Sequence, residues 1–462
     1  MNTALYNYDI WPMVFEKGRE TEITVRPLGG HAAFALDLEY YILICPLQEG
    51  TPRHYPGRNN FSEYYAKPCA DGNLRFSHRF ETEQEYYIRI SKEDDSSVLC
   101  QLSVYALSPD LAGRCPLRGD FHAHSSRSDG KESPAVVCAN YRKQGYDFLP
   151  ITDHERYYPS LEAMEAYRDI PIDLCIVPGE EVHLPNDETH SNDVHIVNFG
   201  GEYSVNALVE GDHTREVGTD KNRRSLAGLC PDAVMSPAEF HKTIDKFAKA
   251  LSIPEGIEPY AYAACLWIFN EIRKANGLGI FCHPYWISNV YHVPETFTDY
   301  LMETRPFDAF EVLGGELYFE QNGFQTIRYY EDMAKGRRYP IVGASDSHGS
   351  TPVNPAWNVG TTLVFARENE RTSIISAVKE FYSVGIDNMS RDYRLVGELR
   401  LVRYARFLLE NYFPLHDELC FEEGRLMKDY VCGDACEKEA AAEGLKAVYG
   451  RTDRRREKYF QF

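Results

Sequence analysis

At 462 residues, 43% of them hydrophobic, the chain is too long for one average domain and can bury two or three sizeable cores. Its net charge of −21 sets up a field that repels polyanions, so long duplex nucleic acid is excluded as an expected partner, while small anionic substrates remain open.

Residues 1–114 read as an all-β, sandwich-like domain. The segments EITVRPL, FALDLEYYILICPL, LRFSHRF, EYYIRIS and SVLCQLSVYAL are rich in β-branched and aromatic residues, and Gly, Pro, Asp or charged turn signals separate them. Tyr40, Tyr41, Tyr64, Tyr65, Tyr86 and Tyr87 are expected to pack between sheets more than to form a carbohydrate-binding surface.

From residue 119 onward the chain changes character. GDFHAHSSRSDG (119–130), DFLPITDH (147–154), IVPGEEVH (176–183), DVHIVNF (193–199), GIFCHP (279–284) and IVGASDSH (341–348) each set His, Asp or Glu against a short apolar, β-prone run. Ligands at the ends of successive strands converge in space although far apart in sequence. The candidate metal ligands are His122, His124, Asp129, His154, Glu181, His195, His283, Asp346 and His348. In a strand, residues i and i+2 point the same way, so His122 with His124, and Asp346 with His348, are spaced to grip one ion. Imidazole nitrogen with carboxylate oxygen suits zinc, manganese or iron, and no matching Cys set argues for a thiolate site.

Between His195 and His283 lies an interval much longer than an ordinary strand connection. Residues 201–258 are therefore expected to be an insertion or lid, with helical patterns from about Pro237 and Tyr260. Its basic residues Arg215, Lys221, Arg223 and Arg224 are candidate substrate clamps, against the plainer reading of a solvated loop. Residues 366–462 read as a helical C-terminal extension, with LVGELRLVRYARFLLE and EKEAAAEGLKAVYG as strong helix formers that close the barrel or make a dimer contact. The twelve cysteines are scattered without a framework, and Cys45, Cys138, Cys175, Cys265 and Cys282 read as reduced core residues. The opening MNTALYNYDIWP has neither a basic start nor an apolar h-region, and no run approaches a membrane span, so a cytoplasmic protein without membrane contact is expected.

The ordered strings resemble the polymerase and histidinol phosphatase (PHP) superfamily: an H-x-H with a following S-D-G, a T-D-H, a G-x-E, an isolated His, an H-P and a closing S-D-x-H, from Gly119 to about Gly349. The resemblance covers about half the chain. It implies an α/β fold over 115–365, a distorted (β/α)7, TIM-like barrel with metals at the C-terminal ends of the strands. It also implies two or three divalent ions. His122, His124, Glu181 and Asp346 would hold the first, Glu181 would bridge to a second held by His195 and His283, and Asp129, His154 and His348 would hold a third. The spacing from Gly179 selects Glu181 as the bridge, with Glu180 as the fallback. His183 and His190 match no motif position and are expected behind the ligands or at the surface.

Two neighbouring cations lower the pKa of a shared water and clamp the oxygens of an in-line displacement at phosphorus, so a bridging hydroxide is the expected nucleophile. Asp346 or His348 is the candidate proton carrier. The expected activity is metal-dependent hydrolysis of a phosphate ester, most simply a phosphomonoester of a small metabolite. The alternatives are a phosphodiesterase acting on a cyclic nucleotide or an oligonucleotide end, and a non-catalytic protein binding a carbohydrate or phosphate ligand. Arg127 and Arg156, close to the metal motifs, are candidate phosphate contacts. Tyr285 and Trp286, just after His283, offer flat apolar surface to a leaving group, or pack in the core.

Overall fold

A computed structural model describes residues 2–51, 60–92, 97–210, 234–314, 319–350, 360–388 and 394–462. The chain divides into two compact units: Met1–Arg114 with Leu399–Leu419 and Gly450–Phe462, and Cys115–Glu398 with Cys420–Tyr449.

The first unit holds β1 (Tyr8–Trp11), β2 (Val14–Glu16), β3 (Glu20–Pro27), β4 (Tyr40–Pro46), β5 (Ser62–Ala66), β6 (Leu74–Arg79), β7 (Gln84–Ser91) and β8 (Val98–Leu107). One sheet has the order β1-β3-β6. The other runs β2-β8-β7-β4-β5, and the C-terminal strand Phe460–Gln461 pairs in parallel with the edge of β2. The period of two is visible in β7, where Tyr86, Ile88 and Ile90 are buried and Tyr87 and Arg89 between them are half-buried. Tyr40, Tyr41 and Tyr86 lie in the core, Tyr64 shares a 2.8 Å hydrogen bond with His78 Nδ1, and Tyr65 is exposed.

The segment expected as one helical extension, 366–462, is partitioned. Ser383–Asp387 and Arg394–Val396 are strands, and Leu399–Leu419 and Gly450–Phe462 belong to the first unit. There the helix Leu399–Asn411 presents Tyr404 and Phe407 to Tyr105 at ring distances of 5.0 and 5.3 Å, while Arg400 spans Glu83 (2.8 Å) and Asp110 (2.7 Å). Long-range packing of an amphipathic face decides where such a helix goes, and its own propensity does not.

The second unit is built on β9 (Cys115–Gly119), β10 (Phe148–Pro150), β11 (Cys175–Val177), β12 (Gly179–Val182), β13 (Ile196–Phe199), β14 (Leu278–Phe281), β15 (Ala309–Leu313), β16 (Ile341–Gly343), β17 (Gly360–Ala366), β18 (Ser383–Asp387) and β19 (Arg394–Val396). Six form a sheet of order β11-β10-β9-β17-β18-β19, and five form β12-β13-β14-β15-β16. Two isolated parallel bridges join the sheets, Ala123 to Ser347 and His154 to Glu181 on β12. β13 runs against both its neighbours, so its N-terminal end lies beside the C-terminal ends of β12 and β14. Phe121, Phe148 and Phe199 fill the interior with ring separations of 4.5–6.1 Å.

At the base of the insertion, Val209 bridges Met235, and the helices Pro237–Ala250 and Pro259–Lys274 share the buried residues Phe240, Ile244, Tyr260, Ala263 and Ala264. Ser236 and Glu239 cap the first of these helices reciprocally. Arg215, Lys221, Arg223 and Arg224 lie outside the described residues. Every described cysteine is free, and among the described residues no helix is long and apolar enough to cross a membrane.

Candidate metal centre

The extension of β9 carries the first two imidazoles. Ala123 is pinned on both sides: its N–H donates to Thr152 Oγ1 (2.9 Å), its carbonyl accepts from Thr152 N (2.8 Å), and the next amide, that of His124, donates to Ser347 O (2.9 Å). His122 and His124, flanking it, therefore turn to one side, with ring centroids 5.1 Å apart.

Glu181 on β12 is the hub. Its Oε2 lies 2.8 Å from His154 Nδ1, 3.3 Å from His122 Nε2 and 3.5 Å from His124 Nε2, while Oε1 lies 2.7 Å from His195 Nδ1 and 3.5 Å from His183 Nε2. Glu180 points the other way. Its carboxylate accepts from Asn198, Ser204, Val205 N and Asn206 at 2.5–3.0 Å, so strand alternation selects Glu181 and leaves Glu180 a structural role. The reversed direction of β13 places His195, just before it, at the same end as the residues that follow β9, β10, β14 and β16.

Asp346 Oδ1 lies 2.9 Å from His124 Nε2 and 3.3 Å from His122 Nε2, and its Oδ2 lies 3.7 Å from His283 Nε2. Asp129 Oδ2 lies 3.2 Å from His348 and 3.5 Å from His154, and its Oδ1 is 3.8 Å from His124 Nδ1. All nine sequence-predicted ligands thus meet at one end of the strands. Asp346 (φ 47°) and His283 (φ 23°) hold left-handed backbone conformations, the kind of strain that persists where surrounding structure over-determines a site.

Buried carboxylates behind this layer set its geometry. Asp153 accepts from Ser125 N (2.7 Å), Ser125 Oγ (2.5 Å) and Ser128 Oγ (2.6 Å), folding the SSRSDG loop back on His124. A Cβ at Gly130 would fall 2.8 Å from the His124 carbonyl, so that loop needs its glycine. Asp120 accepts from Phe121 N, His122 N and Ser345 N at 2.8–3.1 Å, tying the first motif to the last.

Sequence reasoning missed Glu311 and set His183 aside. Glu311, fully buried on β15, places Oε2 3.0 Å from His122 Nδ1 and so orients that ring. Its signal was a single acid inside the apolar run AFEVL. His183 Nε2 lies 3.0 Å from His154 Nδ1, and the available signal was its i+2 relation to Glu181. His292 also joins the edge, its ring 4.5 Å from that of His195.

The expected substrate contacts fare differently. Arg127 forks onto Glu162 at 2.8 and 2.9 Å, and Arg156 donates to the Arg127 carbonyl, so both guanidinium groups are engaged locally. Tyr285 is buried against Tyr291 and Phe324. Trp286 does stand at the site, its ring 6.1 Å from His195 and 6.2 Å from His283.

Electrostatics sorts these groups. Burial disfavours the charged forms of His122 and His154, yet neighbouring carboxylates outweigh it: Asp346 and Glu181 hold His122 well above its ordinary value, and Glu181 and Asp129 hold His154 up at about 11. Burial prevails at His124, pushed down to about 4, and at His283, about 3, and it raises Glu311 to about 7. Burial opposes ionisation of Glu181 and Asp346 too, but the imidazoles around them keep both pKa values far below the usual carboxylate range. Several buried polar atoms here make no hydrogen bond: His122 Nε2, both Glu181 oxygens, His195 Nδ1 and both His283 nitrogens. Converging unsatisfied nitrogen and carboxylate oxygen atoms fit a borderline divalent cation.

A measurable consequence is proton-linked metal binding. Neighbouring carboxylates raise the pKa values of His122 and His154, so an ion binding there would have to displace protons from these imidazoles. Because both values are raised, the pairing stabilises the metal-free fold fully below the ordinary histidine pKa and is lost as pH climbs toward about 11 at His154. Metal affinity is expected to rise from pH 6 to pH 8 by up to about tenfold per pH unit for each proton displaced. Calorimetric titration in buffers of different ionisation enthalpy reads the protons released, and a pH-independent affinity would contradict the assignment.

No family model matches the chain. A DNA polymerase/3'-5' exonuclease PolX of Bacillus subtilis is 28% identical over 115 residues, which are 23% of this chain and 19% of that protein, so the chain spans about a fifth of that relative. Among solved structures, a two-domain protein from Bacteroides vulgatus described as containing a PHP-like metal-dependent phosphoesterase is 19% identical, with 66% of this chain and 72% of that chain covered at a TM-score of 0.41. A Bifidobacterium adolescentis protein, described provisionally as a metal-dependent phosphoesterase, is 22% identical over 51% of this chain and 89% of its own, with a TM-score of 0.32. In the order of its motifs, from the H-x-H at His122 to the S-D-x-H ending at His348, the chain resembles the PHP superfamily.

Proposed function

We propose that this protein hydrolyses phosphate esters with the help of two or three divalent ions, most simply as a phosphomonoesterase acting on a small metabolite in the cytoplasm. The observation that carries the reading is the meeting of nine imidazole and carboxylate ligands, several with buried, unsatisfied atoms, at one end of the strands. We read β9, β10, β12, β13, β14, β15 and β16, linked through the Ala123–Ser347 and His154–Glu181 bridges, as a distorted seven-stranded barrel.

His122, His124, Glu181 and Asp346 would hold one ion, Glu181, His195 and His283 a second, and Asp129, His154 and His348 a third. Bound, such ions supply an activated water and neutralise developing charge on the phosphoryl oxygens. Asp346, whose side chain is 11% exposed, is held ionised by the imidazoles around it, which suits a ligand. His348 has 37% of its side chain exposed, and its pKa is raised because Asp129 and Asp346 outweigh burial. It is the better group to protonate the leaving alkoxide when only two ions are bound. Trp286 offers its ring to the leaving group, and Glu311 fixes the His122 ring. Replacing Glu311 by Gln is expected to lower metal affinity or turnover about 10- to 100-fold; metal titration of the variant checks this.

The deciding experiment is phosphate release across phosphomonoesters and cyclic or dinucleotide diesters, with elemental analysis of the same samples, for wild type and His124→Ala. Monoester turnover that depends on bound metal and disappears in the variant supports the reading. Products that are themselves monoesters would move it to a diesterase, and full metal occupancy with no turnover on any substrate would overturn it.

A further inference from the structure

A second group of imidazoles and carboxylates lies where the loop between β12 and β13 meets the helix Pro237–Ala250. Asp187 opens a tight turn: its Oδ1 accepts from Thr189 N (2.8 Å), Thr189 Oγ1 (3.0 Å) and His190 N (2.8 Å). The other oxygen, Oδ2, lies 2.9 Å from His190 Nδ1 and 3.6 Å from His241 Nε2. The two imidazoles stack face to face, 4.5 Å apart at 12°.

The far nitrogen of each ring has a partner of its own. His190 Nε2 faces Asp245 Oδ2 at 3.5 Å, and His241 Nδ1 meets the Tyr260 hydroxyl at 2.6 Å. This is the arrangement metal-binding histidines use, with one nitrogen turned to the ion and the other held by a carboxylate or another oxygen that fixes tautomer and ring orientation. The separations agree. Zinc bonds of about 2.0–2.1 Å in a tetrahedron put ligand atoms about 3.3 Å apart, and 2.9 and 3.6 Å bracket that edge. Without an ion, His190 Nδ1 is shared by both Asp187 oxygens at 2.9 Å, and His241 Nε2 stands 3.6 Å from Oδ2. With one, all three ligand atoms have a common partner and a fourth position is left for water.

We propose that Asp187, His190 and His241 form an additional divalent-metal site, suited to zinc, with Asp245 and Tyr260 orienting its two imidazoles. The ion cross-links the loop between β12 and β13 to the helix Pro237–Ala250. None of the five residues belongs to the strand-end motifs, so the site stands independently of the phosphoesterase reading.

The test uses the full chain, stripped with a chelator and re-equilibrated with zinc alone, with zinc per chain read by elemental analysis after removal of excess. His190→Ala and His241→Ala are each expected to hold one zinc fewer than wild type, and a protein carrying His124→Ala at the main cluster is expected to keep that zinc. Cobalt in its place should give the intense visible absorption of a four-coordinate ion, absent from both variants. Asp187→Asn keeps the size of the side chain and serves if a histidine variant folds poorly by circular dichroism. Wild-type zinc content in these variants, or no difference in the cobalt spectrum, overturns the proposal.

Discussion

Glu181→Gln is expected to reduce phosphate release at least about a thousandfold, some 4 kcal/mol of transition-state stabilisation, while leaving the fold intact. Gln keeps the shape of the side chain and removes its charge, and that charge faces five imidazoles: His122, His124, His154, His183 and His195. As the carboxylate shared by two proposed ions, it is also the ligand whose loss touches both. Metal content should fall together with kcat/KM. Without Glu181 the imidazolium forms of His122 and His154 lose a principal support, so their pKa values should drop, which proton NMR of the metal-free variant can follow. Near-normal turnover with full metal occupancy would sink the hub assignment. The charge is what matters, so Glu181→Asp should recover part of the metal content that Gln cannot.

The second large effect concerns stability alone. Arg142, on the helix Pro134–Lys143, is among the largest fully buried side chains of the described residues. Its Nε donates to Glu423 at 2.6 Å, and Nη1 donates to the Tyr146 carbonyl (2.8 Å) and to Asp147 (3.1 Å). Arg142→Met fills much of the same volume but leaves two buried carboxylates without their cation, which is expected to cost about 3–5 kcal/mol. At a few degrees per kcal/mol, the melting temperature should fall by roughly 10 °C. Adding Glu423→Gln to Arg142→Met should recover part of the loss, because an uncompensated buried charge costs more than a neutral polar group. If the single change leaves the transition within a degree or two of wild type, the network contributes little net stability.

What could be read from sequence follows from how local each signal is. The His-x-His and the Ser-Asp-Ser-His strings carry their geometry in a period of two, so the same-side placing of each pair was legible, whereas the preference for Glu181 over Glu180 came from the G-x-E motif of the resemblance; in the structure Glu181 is the one that faces the imidazoles. Glu311 was not, because one acid within AFEVL has no spacing to mark it, and only the fold brings β15 behind His122. His183 carried the same i+2 relation to Glu181 that marked the other pairs, yet it matched no motif and was passed over. Arg127 and Arg156 sat next to the right motifs but found partners close at hand, Glu162 and a backbone carbonyl, which sequence proximity to a site does not reveal. The C-terminal segments show the same limit at larger scale. Their helical periodicity was legible, whereas the pairing of Phe460 with Val14 depends on contacts that no local pattern encodes.

The two bridges that join the sheets fall on the ligand segments themselves. His154 pairs with Glu181, and Ala123, between His122 and His124, pairs with Ser347, between Asp346 and His348. Each seam is a single bridge long, so little backbone hydrogen bonding holds it. Ions held by the proposed ligands would lie across both seams as rivets, since a ligand bound only by the folded state adds RT ln(1 + [L]/Kd) to its stability. If the proposed ions bind, the concentration of free metal becomes a term in how firmly these two seams are held, and metal depletion is expected to loosen them first, while the apolar core shared by the two sheets stays packed.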